Sequence, residues 1–252
     1  KIIYLGFPGT MGSNNSYDYI ICDPNIIPES SKNFYFEKIL YIKNCFTDLG
    51  NLRLFNNLKR KDFNLPDKSI LIGAMNRTDK LLPEVFDIWM SVISKLKNVF
   101  LCIPRNSKIV EDNLKKYCEN KKIDFSKILF LQRTDTRDDY LKRLSLMDFS
   151  LDTFPYNGHT ISLDNLRSGV PVITMQGSSY ASRVTYSLLK NLNMDELISN
   201  SVEDYKNKIK FYSEKNLELN KIKKKLKKNF MTYCETNNFL SNLEEEYRKI
   251  LI

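Results

Sequence analysis

The sequence predicts an α/β protein: a Rossmann-like parallel sheet with helices on both faces and a helical tail at the C-terminus. Two observations predict it. Between residues 69 and 190, short apolar runs rich in Ile, Leu and Val alternate with stretches of helical periodicity. From about Val202 onward only helical periodicity remains. Alternation of this kind makes a parallel sheet buried on both faces, with ligands bound outside the carboxyl ends of its strands.

The first 50 residues read as one unit: a strand over residues 2–5, a loop holding Gly6, Pro8, Gly9 and Thr10, a strand near 19–22 and another at 39–42. Residues 51–68 turn polar, and Pro66 and Asp67 mark a turn, so a boundary is expected there. Residues 69–74 read as a buried strand. A helix from about Leu82 tolerates Pro83 in its first turn and carries Ile88, Trp89, Val92, Ile93 and Leu96 as its apolar stripe. Strands at 99–103, 127–131, 149–153 and 170–175 are followed by helices at 109–117, 138–146, 160–167 and 181–190. In the tail, Leu219, Ile222, Leu226 and Phe230 recur at helical spacing through the lysine cluster 221–228, which gives an amphipathic helix with a solvated basic face. Leu240, Leu243, Tyr247 and Ile250 give the last helix a packing face.

A chain of 252 residues that is 42% hydrophobic can bury a real core. No apolar run approaches the ~18 residues of a membrane span, and no signal peptide is visible. The chain begins at Lys1 inside a predicted strand, so a piece of a longer protein is expected. Five widely spaced cysteines without a CxxC pair, and a single histidine, speak against a disulfide scaffold or a structural zinc site and for a reducing cytoplasm. The net charge of +9 accompanies abundant Asn and Ile and sits on a solvated helix face, so no nucleic-acid role is assigned.

Residues 151–184, LDTFPYNGHTISLDNLRSGVPVITMQGSSYASRV, concentrate the chemistry. Asn157, Gly158, His159 and Thr160 stand where a strand passes into a helix, and a helix start offers unpaired N–H groups and a positive dipole end to an anion. Gly158 lets the backbone approach that anion, and Thr160 adds a hydroxyl. Asp164 lies one turn further on the same face, placed to accept from a sugar hydroxyl. The set points to a nucleotide or nucleotide-sugar site. No GxGxxG follows a predicted strand, which sets an NAD-binding enzyme aside.

The run LDTFPYNGHTISLD, with GVPVITM and ASRV after it, resembles the O-linked N-acetylglucosamine transferases, glycosyltransferase family 41. Two further blocks in the same order, IIYLGFPGTMG with DYIICD and MNRTDKLLP at residues 75–83, resemble segments of that family. The resemblance implies a GT-B type fold. Residues 1–50 would end the N-terminal catalytic lobe, 51–68 would be a linker, and 69–252 would form the C-terminal nucleotide-sugar-binding lobe, whose last helix packs back across the cleft. It implies the donor-binding half of an inverting transferase that moves N-acetylglucosamine from UDP-GlcNAc to Ser or Thr of proteins. Related members that transfer fucose from GDP or glucose to asparagine are the alternatives, as is an inactive nucleotide-binding module.

By the resemblance, Lys80 stabilises the departing diphosphate. No Asp-x-Asp motif is present, so no metal and no cofactor is expected. His159, Thr160 and Asp164 carry over as phosphate and ribose contacts. Ile161 takes the place of a second threonine and keeps only its backbone N–H. Asp135 and Arg137 frame the uracil, Tyr140 replaces a histidine against the base, and Arg143 supports them as a cation. Arg77 stands at a glutamine position. Gly6 and its loop line the sugar side. The catalytic base would lie in an upstream lobe, beyond which TPR repeats are expected.

Overall fold

A computed structural model describes residues 1–13 and 15–251. Three strands, β1 (Ile2–Ile3), β2 (Tyr19–Cys22) and β3 (Lys38–Tyr41), form a parallel sheet in sequence order. Ile20, Ile21 and Cys22 are fully buried, as strands covered on both faces require. The second sheet holds β4 (Ile70–Gly73), β5 (Val99–Pro104), β6 (Ile128–Leu131), β7 (Phe149–Leu151), β8 (Val172–Met175) and β9 (Ile198–Ser199). Its spatial order is β6-β5-β4-β7-β8-β9, and all its pairings are parallel. The chain therefore builds outward from β4 to β6 and then returns to the other side of β4. This reversal opens a crevice beyond the carboxyl ends of β4 and β7, the place where such sheets bind ligands.

The crossovers run through α1 (Pro83–Ile93), α2 (Lys108–Lys121), α3 (Arg137–Leu144), α4 (Thr160–Arg167) and α5 (Val184–Asn191). The tail is α6 (Val202–Glu214), α7 (Asn216–Thr236) and α8 (Phe239–Arg248). Pro83 occupies the first turn of α1, as expected, and Trp89 and Ile93 are buried. The Trp89 indole donates to the Tyr205 hydroxyl on α6 (3.1 Å), which donates to the Asp152 carbonyl at the end of β7 (3.0 Å). Two buried aromatic polar groups are thereby satisfied, and the core is tied directly to the crevice.

The first unit is joined to the second through α5 and the tail. Asp23, fully buried, accepts from the N–H groups of Ile26 (3.0 Å) and Phe46 (2.8 Å) and from the Ser187 hydroxyl on α5 (2.5 Å). Burial raises its carboxyl above the ordinary range, opposed by these donors. The Arg183 guanidinium reaches the Asn25 carbonyl (2.7 Å). From the tail, the Tyr233 hydroxyl accepts from Cys45 N–H (3.3 Å), Asn237 pairs with Asn44 (2.7 Å), and Asn242 donates to the Lys43 carbonyl (3.3 Å). The C-terminal helices thus return across to residues 43–45. Residues 51–68 hold only a short 3-10 turn, Arg60–Phe63, yet they are not slack. Arg60 donates to the Ser69 carbonyl (2.6 Å) and to Asp148 (2.7 Å).

Four sequence expectations need correction. β9 was not foreseen, because two residues carry no period. The helix expected over 181–190 begins later: Ser179 and Ser182 cap a 3-10 turn, Tyr180–Ser182, and Arg183 at φ −117°, ψ 2° separates it from α5. On α8, Leu240 is 69% exposed and Glu246 is buried, so the packing face falls to Leu243, Tyr247 and Ile250. On α7 the apolar face is as expected, but Lys223 turns inward to the Met147 carbonyl (3.2 Å) and Asp148 (3.8 Å). Among the described residues the five cysteines are free thiols, and no helix is long and apolar enough to cross a membrane.

Candidate nucleotide-sugar site

Two chain segments meet over the crevice. The one after β4 runs through Asn76 and Arg77 into a 3-10 turn, Thr78–Lys80. The one after β7 runs from Asp152 to the start of α4. The Lys80 ammonium joins them: it donates to the Asn157 carbonyl (2.9 Å) and lies 4.0 Å from the centre of the Tyr156 ring. Burial lowers its pKa, opposed by Asp152 and Asp79. Beneath it, Asp152 is 1% exposed and accepts from Gly158 N–H (2.7 Å) and the Thr174 hydroxyl (2.8 Å).

His159 stands at the N-cap of α4 with φ 44° and ψ −109°, a setting non-glycine residues adopt only where the surroundings enforce it. Its ring stacks on Tyr156, with centres 5.0 Å apart and planes 20° apart, and Nε2 is 3.4 Å from the Ala181 carbonyl. Among the described residues the N–H groups of His159 and Thr160 make no backbone hydrogen bond, which leaves both open at the helix start.

Two groups here titrate in one acidic window with opposite effects on stability. Burial, aided by Lys80, pushes the His159 imidazole down to about 4. The unfolded chain accepts a proton near pH 6.5 that the folded chain refuses, so this contribution is lost as pH falls towards 4. Burial pushes the Asp152 carboxyl up to about 6 from its ordinary 3.8. The folded chain keeps a proton the unfolded chain gives up, so this contribution is lost as pH rises through 6. Each amounts to about 2–3 kcal/mol, and between pH 4.5 and 7 the two nearly cancel. His159→Gln is expected to remove only the first. Relative to the parent chain, its stability at pH 4.5 should then rise by about 2 kcal/mol over that at pH 7, as read by urea unfolding. An unchanged difference between variant and parent at the two pH values would show that His159 is not shielded.

Beside this turn, a cleft of about 600 Å³ lies beyond the ends of β4, β5 and β6, lined by Met75, Arg105, Asn106, Arg133, Asp135, Arg137, Tyr140 and Arg143. Arg137 pairs with Asp164 across α3 and α4 (2.7 Å), and Asp164 is 1% exposed. The other Asp164 oxygen and the Tyr140 hydroxyl are buried with no hydrogen-bond partner among the described residues. Arg143 is buried rather than a surface cation and donates to the Gln132 carbonyl. Arg77 turns outward to Asp79 (2.7 Å) on the rim of a second cleft of about 400 Å³ that Lys80 and Tyr156 also line. Towards the first unit, Leu5, Phe7, Pro8 and Phe46 enclose a space of about 170 Å³ with His159, Thr160 and Tyr180. Gly6 sits within that loop, its N–H bonded to the Tyr4 carbonyl (2.7 Å). Thr10 turns away to Glu37 (2.7 Å).

The structure thus brings Lys80, His159, Thr160, Asp164, Asp135, Arg137 and Tyr140 to one end of the sheet and corrects three local roles. The Asn157 side chain is fully buried and committed to the Thr153 carbonyl (3.0 Å) and Thr185 N–H (3.3 Å); only its carbonyl faces Lys80. Gly158 points its N–H back to Asp152, so its smallness serves the packing of the turn rather than the approach of an anion. The Ile161 N–H, expected to remain free, donates to the Gly158 carbonyl (3.0 Å). Sequence reasoning missed Tyr156, Arg105 and Asn106. The last two follow directly on β5, and position after a strand was the signal that pointed to them.

The chain and its fold resemble known proteins. A chain from Arabidopsis thaliana, described as a probable UDP-N-acetylglucosamine–peptide N-acetylglucosaminyltransferase SEC, is 28% identical over 99% of this chain, which spans 26% of that relative's length. The structure of a mutant Thermobaculum terrenum O-GlcNAc transferase superposes with a TM-score of 0.87 at 25% identity, over 98% of this chain and 47% of that one. TarM shares the fold at 16% identity and a TM-score of 0.59, over 91% of this chain and 42% of its own. The architecture is that of the GT-B glycosyltransferases. With the model of glycosyl transferase family 41 matching residues 54–242, most of its length, this chain belongs to glycosyltransferase family 41.

Proposed function

We propose that these residues form the donor-binding half of an inverting, metal-independent transferase that moves N-acetylglucosamine from UDP-GlcNAc to Ser or Thr hydroxyls of proteins. The convergence of the Lys80 ammonium with the open N–H groups of His159 and Thr160 carries the reading. As the sugar leaves, negative charge grows on the diphosphate, and a fixed cation beside a helix start stabilises that charge more than it stabilises the bound donor. The cleft of Asp135, Arg137 and Tyr140 is the right size for a nucleobase with its ribose, and Asp164 retains an unused acceptor for a ribose hydroxyl. The base that activates the acceptor would come from an upstream lobe preceded by TPR repeats, in a cytoplasmic protein. These 252 residues alone are expected to bind UDP and turn over nothing.

Calorimetric titration of UDP, UDP-GlcNAc and GDP in the presence of chelator tests this. UDP should bind with chelator present, and GDP more weakly. A preference for GDP would move the assignment to fucosyl transfer. Loss of UDP binding on chelation would overturn the metal-free site.

A further inference from the structure

One side chain of the site has no part in the donor reading, yet it touches two groups that do. Tyr156 lies in the turn between β7 and α4 and is 39% exposed to the cleft. The Lys80 ammonium lies 4.0 Å from its ring centre, and the His159 imidazole stacks on the same ring at 5.0 Å and 20°. Both neighbours are otherwise lightly held. Lys80 keeps one hydrogen bond, to the Asn157 carbonyl. His159 has a long contact of 3.4 Å to the Ala181 carbonyl and a backbone setting that needs outside support.

We propose that Tyr156 is a positioning residue, its ring holding the Lys80 ammonium and the His159 imidazole in place at the phosphate-binding turn before a ligand arrives. The inference rests on the donor-site reading above. A lysine carries several rotatable bonds, and fixing it on binding costs entropy that a pre-set ammonium has already lost. The face of an aromatic ring attracts an ammonium through its quadrupole, and it does so more strongly where water is partly excluded. The same flat surface covers one side of the imidazole, in keeping with the shielding that holds His159 neutral. The ring does this work and the hydroxyl does not. Lys80 is the charged group that acts on His159; Arg77 and Asp79 line the cleft beside Tyr156, and Asp152 lies under Lys80. A change at Tyr156 therefore removes no charge and acts by uncovering the imidazole and freeing the Lys80 ammonium.

His159 is the only histidine of the 252 residues, so proton NMR of the free protein follows one imidazole titration without overlap. Tyr156→Phe keeps the ring and Tyr156→Leu removes it while keeping apolar bulk. The phenylalanine variant should match the parent chain in both the His159 titration and UDP affinity. In the leucine variant the His159 midpoint should rise from about 4 towards 6.5, and UDP should bind about fivefold more weakly. That loss should shrink in a Lys80→Ala background, because part of the ring's effect on UDP passes through Lys80; a loss of unchanged size there would mark a merely structural role. A leucine variant with an unchanged midpoint and unchanged UDP affinity overturns the proposal. If the parent chain binds no UDP at all, the donor reading falls, and the His159 titration alone then decides the positioning role: a raised midpoint upholds it and an unmoved one overturns it.

Discussion

Replacing Lys80 with alanine is expected to weaken UDP binding by about 10- to 100-fold and, on the proposed function, to lower kcat by about 10²- to 10³-fold in a chain that also supplies a second catalytic lobe. The size follows from where the ammonium sits. It is partly desolvated beside Tyr156, and burial already disfavours its charged form, so an anionic ligand relieves a cost as well as adding an attraction. An exposed lysine facing a phosphate would be worth far less, since water screens it. Removal of uniform binding would raise KM alone, whereas loss of a contact that strengthens as the diphosphate departs lowers kcat. Lys80→Arg is not expected to restore activity, because a guanidinium, although it can lie over the Tyr156 ring, spreads its charge over a wider plane and does not reproduce the compact ammonium held at the Asn157 carbonyl. A Lys80→Ala protein that binds UDP within threefold of the parent chain would remove Lys80 from the site.

The elements around this site were legible because period is local. Alternating apolar runs and helical stretches mark β4 to α5 wherever an element is long enough to show its repeat, and α4 was bounded correctly at Thr160 and Arg167. The order β6-β5-β4-β7-β8-β9 was not legible, since which strands neighbour each other depends on pairings between distant residues. The same limit hid the bridge from Asp23 to Ser187, 164 residues apart, which fastens the first unit to α5. Within the site, position at a strand-to-helix passage singled out His159, Thr160 and Asp164, whereas Lys80, one lysine among many, stood out only through the family resemblance. Neither could say which way a side chain turns. Asn157 reads in sequence as either a ligand contact or a structural support, and its buried amide, bonded to Thr153 and Thr185, is the support. Tyr156 gave no signal, because its contact with Lys80 spans 76 positions and its stacking on His159 depends on the turn conformation, neither of which a sequence period reports.

Gly158→Ala is expected to destabilise the protein by about 1–3 kcal/mol, through overpacking in a well-filled site, and to lower Tm by about 2–4 °C for each kcal/mol lost. Gly158 has no left-handed φ, so the effect is one of space and not of backbone strain. A methyl group there would stand 2.6 Å from Asn76 Oδ1, 2.6 Å from Ser162 Oγ and 3.1 Å from Asp152 Oδ1. None of the three can retreat easily. Ser162 accepts from the Thr185 hydroxyl (2.8 Å), Asp152 holds Thr174, and Asn76 is 5% exposed. The turn itself must then move, carrying His159 and Thr160 away from Lys80, so UDP affinity should fall together with Tm. Ser162→Ala in the same chain removes one of the two closest contacts and should restore part of the loss. Gly6→Ala is the contrasting case: its methyl would meet only the Tyr4 carbonyl, at 3.8 Å, an ordinary contact. That variant should melt within about 1 °C of the parent chain, as surface changes away from special features do. If Gly158→Ala melts there too, the turn has room that the close approach of Asn76 and Ser162 denies it, and packing is not what requires a glycine beside His159.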